Sequence, residues 1–308
     1  MQFKVMNENT TTNVHKSVLL HEAIDALNIK SGDIFLDGTL GGGGHSKEVA
    51  QRHRGTVKII GLDMDEEALR RAEEVLKPLT ANYVLKQANF RNIDIVLDEM
   101  GITSVDKILL DLGLSSNQLE LSGRGFSFQK DEPLIMTFAT VPDEKSFSAR
   151  EIVNNWEEEH IADVLFGYGE ESFSRKIAKT ICEERRKKSI ETTFQLVEVI
   201  KKATPFWYHH RKTHFATKTF QALRIAVNDE IRALDDGVRK GFERLKKGGR
   251  MAVISFHSTE DRLVKRFFKE LQKDEKANIS KKPIVPKAEE ISKNPRARSA
   301  KLRIVEKI

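Results

Sequence analysis

The sequence predicts an α/β protein built on a Rossmann-like, mainly parallel sheet with an inserted helical domain. Three observations carry this prediction. Short apolar segments alternate with segments of helical spacing over the first third of the chain. The alternation stops near residue 115 and resumes near residue 217. The first apolar segment, Phe35-Leu36-Asp37, runs into Gly38 and then Gly41-Gly42-Gly43-Gly44, the pattern of a strand whose following loop lets backbone approach a ligand closely.

Taken in order, residues 1–13 are polar with a Thr run and read as a disordered tail. Residues 17–27 carry Val18, Leu19, Ala23, Ile24 and Leu27 at helical spacing. Strands follow at 34–37, 57–63, 83–87 and 107–112, separated by helices at 45–53, 66–77 and 93–100. Helical connections of this length imply a parallel sheet with right-handed crossovers. Between 115 and 216 no buried strand is evident, and helices are expected at 149–155, 158–165, 172–188 and 193–203. One long amphipathic helix is expected over 218–245, then a turn at Lys247-Gly248-Gly249, a fifth strand at 250–256 and a helix at 259–271. Residues 273–300 are Lys-rich and broken by proline, and 301–305 read as a last edge strand. The expected organisation is a discontinuous core, 14–114 with 217–308, and a helical substrate-side insertion, 115–216.

At 308 residues the chain can bury a sizeable core. Its net charge of +6 and pI near 9.2 suit a polyanionic partner, although mild basicity alone is a weak pointer. Cys182 is the single cysteine, which excludes an intramolecular disulfide and a Cys-ligated zinc site. With no bilayer-length apolar run and a polar N-terminus, the expectation is a cytoplasmic protein without a membrane partner. The oligomeric state stays open, a homodimer included.

An acidic residue, Asp63, closes the second strand twenty positions beyond Gly43. A carboxylate so placed accepts hydrogen bonds from a ribose diol, which makes a nucleoside cofactor the leading hypothesis. The glycines do not meet the dinucleotide spacing, and no Gly-Lys-Ser/Thr follows them, so a pyrophosphate cradle and a P-loop are both disfavoured. A cofactor with a cationic centre and no phosphate fits the acidic, glycine-lined end of the first strand; S-adenosylmethionine answers that description.

Ligands of open parallel sheets bind at the carboxyl ends of the strands. Those ends bring in Phe90, either an adenine cover or a core phenylalanine, and Asp111, which ends an apolar strand and precedes Gly113, Ser115 and Ser116. Gln118 is within reach of the same cleft. His257 follows the fifth strand and is either an acid–base group or structural. Glu260 and Asp261 are explained by the start of a helix. No metal constellation is evident, since His209, His210 and His214 lack acidic companions. Basic residues cluster around the insertion (Arg185 to Lys188, Lys201, Lys202, Arg211, Lys212) among Phe206, Trp207, Tyr208 and Phe215. That mixture suits phosphates and unpaired bases, or else a solvated helix face.

Several long stretches resemble the MraW/RsmH family. They are His15-Lys16-Ser17-Val18-Leu19-Leu20, the run from Asp37 to Ser46, Asp111-Leu112-Gly113-Leu114-Ser115-Ser116-Asn117-Gln118-Leu119 and Arg124-Gly125-Phe126-Ser127-Phe128. The run from Thr219 to Glu230, Ser255-Phe256-His257-Ser258-Thr259-Glu260-Asp261-Arg262 and the run from Asn294 to Arg303 complete the set. The resemblance implies a methyltransferase core that uses S-adenosylmethionine to methylate the exocyclic amine of a cytidine in the decoding centre of 16S ribosomal RNA, free or in the small subunit. It also implies cofactor contacts by Gly43, Gly44, His45, Asp63, Phe90, Asp111 and Gln118. By position Asp111, Ser115 and Ser116 are candidates near the target amine; with Asp111 committed to the cofactor, as the resemblance implies, Ser115, Ser116 or His257 is left there. The chain departs from the family pattern at Ser17, where proline is usual. It departs again at Pro133-Leu134-Ile135-Met136-Thr137-Phe138, where Pro-Leu-Asp-Met-Arg-Met is common. Two rival readings are a non-catalytic ribosomal RNA-binding factor and an NAD-dependent oxidoreductase.

Overall fold

The computed structural model describes residues 17–79, 81–113, 122–138 and 147–308. The expected tail and Ser115, Ser116 and Gln118 lie outside these residues. The first alternation resolves into α1 (Leu20–Leu27), β1 (Ile34–Asp37), α2 (Gly44–His53), β2 (Lys58–Asp63), α3 (Glu66–Leu76), β3 (Asn82–Gln87), α4 (Ile93–Glu99) and β4 (Val105–Asp111). The insertion contributes α5 (Ala149–Asn155), α6 (Glu158–Gly169), α7 (Ser174–Arg185), α8 (Thr193–Ala203) and α9 (Phe206–His209). The chain then returns through α10 (Thr217–Asn228), α11 (Glu230–Glu243), β5 (Leu245–Ser255), α12 (Ser258–Lys273), β6 (Ala277–Ile279) and β7 (Lys301–Lys307).

The seven strands form one sheet in the order β3-β2-β1-β4-β5-β7-β6. β1 to β5 are parallel, whereas β7 runs antiparallel to both of its neighbours. Central strands covered on both faces need apolar residues at successive positions, which is why Ile108-Leu109-Leu110 reads as an unbroken apolar run. Leu36, Ile60, Ile108 and Val253 pack on one side against Ile93, Leu97, Leu234, Val238, Phe267 and Phe268 of α4, α11 and α12. Phe35, Ile59, Leu109 and Ile254 pack on the other side against Ile24, Leu27, Val49 and Leu76 of α1, α2 and α3. A third core lies within the helical segment, and it takes in Phe220, Ala222 and Leu223 of α10 as well as Ile152, Leu165, Ile181 and Leu196. Capping boxes at Ser148/Glu151 and Thr192/Gln195 fix where α5 and α8 begin.

Two expectations are corrected. The single helix expected over 218–245 is two helices, divided at Asp229, which takes a left-handed conformation with φ 48°. Asp tolerates that region better than most residues. The Arg91 guanidinium holds the break, donating to Asp229 at 3.1 Å and to Asp236 at 2.9 Å. The expected edge strand is interior: β7 pairs with β5 on one side and with the three-residue β6 on the other. The Lys-rich composition of that stretch hid β6.

Candidate active site

Chain direction across the sheet reverses between β1 and β4, and at such a switch point the loops leaving adjacent strands part to open a crevice. Asp37 and Asp111 end the two strands that flank it. The crevice is a cleft with about 860 Å³ of empty space, the open solvent at its mouth included. One wall is made by Gly38, Thr39, Gly41, Asp63, Asn89 and Phe90, with Asp111 at the floor. Phe138, Asn228, Glu230, Ala233, Leu234 and Glu260 make the other.

The glycine run builds the first wall through backbone. Gly41 donates its N–H to Asp63 Oδ2 at 2.8 Å, and Asp65 donates to Oδ1 at 2.9 Å. Each oxygen therefore has one fixed donor and a second acceptor direction left for a ligand. Gly43 has φ +76°, and a Cβ there would stand 3.1 Å from the Ala72 Cβ, so any other residue is strained and crowded at once. Gly43 and Gly44 open α2 beside the cleft without lining it, and the neighbouring His45 is buried. Phe90 answers to both of its readings. It lines the cleft, and its ring lies so close to Gly237 that a Cβ there would meet it at 2.5 Å.

The floor is acidic, with Asp111 lining it and Asp37 buried beside it. Asp37 accepts from the Ser46 hydroxyl at 2.7 Å and from the Thr39 N–H at 3.3 Å, yet burial lifts its pKa to about 6. The Asp111 N–H donates to the Thr39 hydroxyl at 2.6 Å, tying the ends of β1 and β4 together. Burial, and after it the charge of Asp37, pushes Asp111 up to about 7. Its Oδ1 is buried with no hydrogen-bond partner among the described residues, and His45 Nδ1 stands 3.8 Å from Oδ2. Asp63 is likewise raised by burial. Three carboxylates held above their ordinary range, one with an idle oxygen, form a site that a cation would relieve.

The second wall is made by side chains that meet from three distant segments. Asn228, at the end of α10, accepts from Phe138 N–H at 2.8 Å and donates to the Met136 carbonyl at 2.8 Å. Arg124 donates to the carbonyls of Thr137 and Phe138 at 3.1 and 2.8 Å, and the Phe138 ring stacks on Phe126 at 5.6 Å. The segment that departs from the family pattern is thus clamped at the cleft, with Phe138 facing it and Thr137 buried behind. Arg224 makes a two-pronged pair with Glu230 at 2.7 and 2.8 Å. Burial opposes the Arg224 charge, but Glu230 more than offsets it and holds the guanidinium charged.

His257 does not line the cleft, although its contact Glu260 does. It caps α12, accepting from the Glu260 N–H at 3.4 Å, with Nε2 3.0 Å from Glu260 Oε1. Glu260 in turn accepts from the N–H groups of Phe256 and His257 at 2.8 and 3.2 Å. Glu230, His257 and Glu260 bring ligand atoms within 4.8 Å of one another. Arg224 already pairs with Glu230, and backbone donors occupy one oxygen of Glu260.

Of the residues singled out in the sequence, the cleft brings together Asp63, Phe90 and Asp111. Sequence reasoning named Phe138, Asn228 and Glu230 only as parts of stretches compared with the family and gave them no role, and it explained Glu260 by its helix start alone. One signal was available: Asn228-Asp229-Glu230 is a polar triplet inside an otherwise amphipathic run.

Residues 12–308 match the model of the MraW methylase family. The chain belongs to the MraW methylase family. Members carry out S-adenosylmethionine-dependent methyl transfer, and the acidic cradle fits that cationic cofactor. A protein of Clostridium botulinum named Ribosomal RNA small subunit methyltransferase H is 47% identical, with 96% of this chain and 99% of that protein covered. A protein of the same name from Kosmotoga olearia is 45% identical, with coverage of 96% and 97%. Among solved structures, an rRNA methylase from Streptococcus thermophilus superposes with a TM-score of 0.46 at 12% identity, covering 95% of this chain and 98% of that one. No helix among the described residues is long and apolar enough to cross a membrane.

Proposed function

We propose that this methyltransferase acts on the exocyclic N4 amine of a cytidine in 16S ribosomal RNA. The observation that carries the reading is the division of one cleft into an acidic nucleoside wall and a second wall of planar and polar side chains, Phe138, Asn228, Glu230 and Glu260. The names of relatives nearly equal to this chain in length support ribosomal RNA as the substrate.

When bound, S-adenosylmethionine supplies an electrophilic methyl group on a sulfonium. Asp63 would accept from the ribose hydroxyls, Phe90 would lie against the adenine, and Asp111 would accept from the cofactor's ammonium. The cytosine amine is conjugated with its ring and is a poor nucleophile, so catalysis rests on orientation and on fixed acceptors for its N–H groups. The target cytidine leaves its stack to enter the cleft, where the Phe138 ring supports its face. Glu260 lines the substrate side and His257 positions it, while Ser115 and Ser116 remain candidates for acceptors near the amine. The helical insertion, 115–216, is the substrate-side unit.

Nucleoside mass spectrometry of 16S ribosomal RNA from a deletion strain tests the assignment. Loss of one N4-methylated cytidine, restored by the wild-type gene and not by an Asp63→Ala copy, is the expected result. An unchanged methylcytidine pattern refutes it and favours an RNA-binding factor without catalysis.

A further inference from the structure

Among the described residues the exposed large aromatic side chains are Phe166, Phe194, Phe206 and Trp207, and all four lie in the helical insertion. Two of them are adjacent on α9, where Phe206 is 77% and Trp207 60% exposed. Their neighbour Tyr208 is buried. Its hydroxyl lies 3.0 and 2.8 Å from the two oxygens of Glu171, a carboxylate with no exposure. The Phe173 ring packs on Tyr208 at 4.9 Å and on Trp207 at 5.8 Å. Tyr208 thus anchors the short helix, and the two rings beside it stand in water on a fixed base.

Cations surround these rings. The Arg211 guanidinium sits 6.0 Å from the centre of Trp207 and 5.3 Å from that of Tyr208, and Lys176 sits 5.8 Å from that of Phe173. His210 lies 4.3 Å from Phe206, and Lys212 is exposed next to Arg211. Among the described residues no carboxylate pairs with Lys176, Arg211 or Lys212, in contrast to Lys187 and Lys202, which share Glu184. The centre of a protein-binding surface is rich in aromatic residues and arginine but depleted of lysine, and this patch carries Lys176 and Lys212. Rings interleaved with unneutralised cations match a chain of phosphates carrying π faces, that is, an unpaired nucleic acid strand.

The platform is tied to the cleft through two consecutive residues. Glu171 holds Tyr208, while Glu170 pairs with Arg262 at 2.5 Å and accepts from the Ser258 hydroxyl at 2.9 Å, both on the helix that supplies Glu260 to the cleft wall. We propose that Phe206 and Trp207, with Arg211 and Lys176, form a stacking platform for unpaired nucleotides flanking the target cytidine. This rests on the reading of an RNA base as substrate. The platform holds the strand after the target base has left its stack, so its contribution lies in RNA affinity and not in cofactor binding.

The test is the full-length double variant Phe206→Ala/Trp207→Ala, with Arg211→Gln as a second variant. Fluorescence anisotropy follows binding of a labelled single-stranded oligonucleotide that carries the 16S target region. About a tenfold loss of affinity per ring is expected, with S-adenosylmethionine affinity by calorimetry and the melting temperature unchanged. An oligonucleotide with abasic flanks should bind wild type as weakly as the double variant does. In a Trp156→Phe background, Trp207 is the remaining tryptophan and its emission should be quenched by the RNA. Equal RNA affinity of wild type and double variant overturns the proposal. So does normal binding of naked RNA combined with lost activity on assembled small subunits, because that result assigns the platform to a protein. Binding is read without turnover, so wild type that binds at the platform but methylates no cytidine refutes the functional reading alone.

Discussion

The two walls of the cleft are built by different means. The nucleoside wall comes from residues at or just after the ends of three neighbouring strands, where Gly41 and Asp63 are joined by a backbone hydrogen bond of 2.8 Å. The opposite wall comes from residues 138, 228, 230 and 260, and side-chain bonds such as those of Asn228 and Arg224 hold it. The first wall is a property of the sheet and the second of tertiary packing. A wall made of backbone needs few particular side chains, and one made of side chains fails when a single partner is removed.

The largest expected effect breaks the second wall. Arg224→Met leaves the partly buried Glu230 without its partner, which costs about 1–3 kcal/mol in such settings. The melting temperature should fall accordingly, and methyl transfer should fall with it. Glu230→Gln keeps one hydrogen bond to Arg224 and should retain more stability. If both variants lose cofactor affinity in calorimetry as steeply as they lose turnover, the walls are not separable.

Next comes the first wall. Asp63→Ala removes the ribose acceptor and frees the Gly41 N–H, and S-adenosylmethionine affinity should drop at least about 100-fold by calorimetry. Stability should change far less than in Arg224→Met. Unchanged affinity would falsify the ribose assignment.

A pH series sharpens the same wall. Asp111 and Asp37 are raised by burial to about 7 and about 6. A carboxyl raised on folding contributes stability below its unfolded pKa, and that contribution disappears as pH climbs through the folded value. The melting temperature of the ligand-free protein should therefore decline between about pH 4 and pH 7, and Asp111→Asn should flatten the decline. Affinity for the cationic cofactor should move the opposite way, rising about tenfold per unit of pH below 7 as Asp111 ionises. A flat affinity between pH 5.5 and 8 contradicts the acidic-floor account.

The smallest effect is that of Ser46→Ala, which removes the 2.7 Å hydroxyl bond to Asp37. The Asp37 carboxyl should then titrate higher, shifting the affinity profile toward alkaline pH by less than one unit. Nuclear magnetic resonance of the labelled carboxyl checks it directly.

The core was legible because its signals are local. β1, β2 and β4 are short apolar runs that end in Asp37, Asp63 and Asp111, and a parallel sheet places strand ends side by side whatever lies between them. The division of α10 from α11 was not legible, because helical spacing continues across Asp229 and the Arg91 contact that helps to hold the turn comes from far along the chain. The same reason hid the second wall. Phe138 reads as one apolar residue in an irregular stretch until Asn228 accepts its N–H. The sequence by itself determined the order of the elements, the glycine-and-acid cradle and its family. Tertiary structure alone decided what faces that cradle and which carboxylates titrate high. Both depend on burial and on contacts between segments far apart in the chain, and neither is set by the neighbours along it.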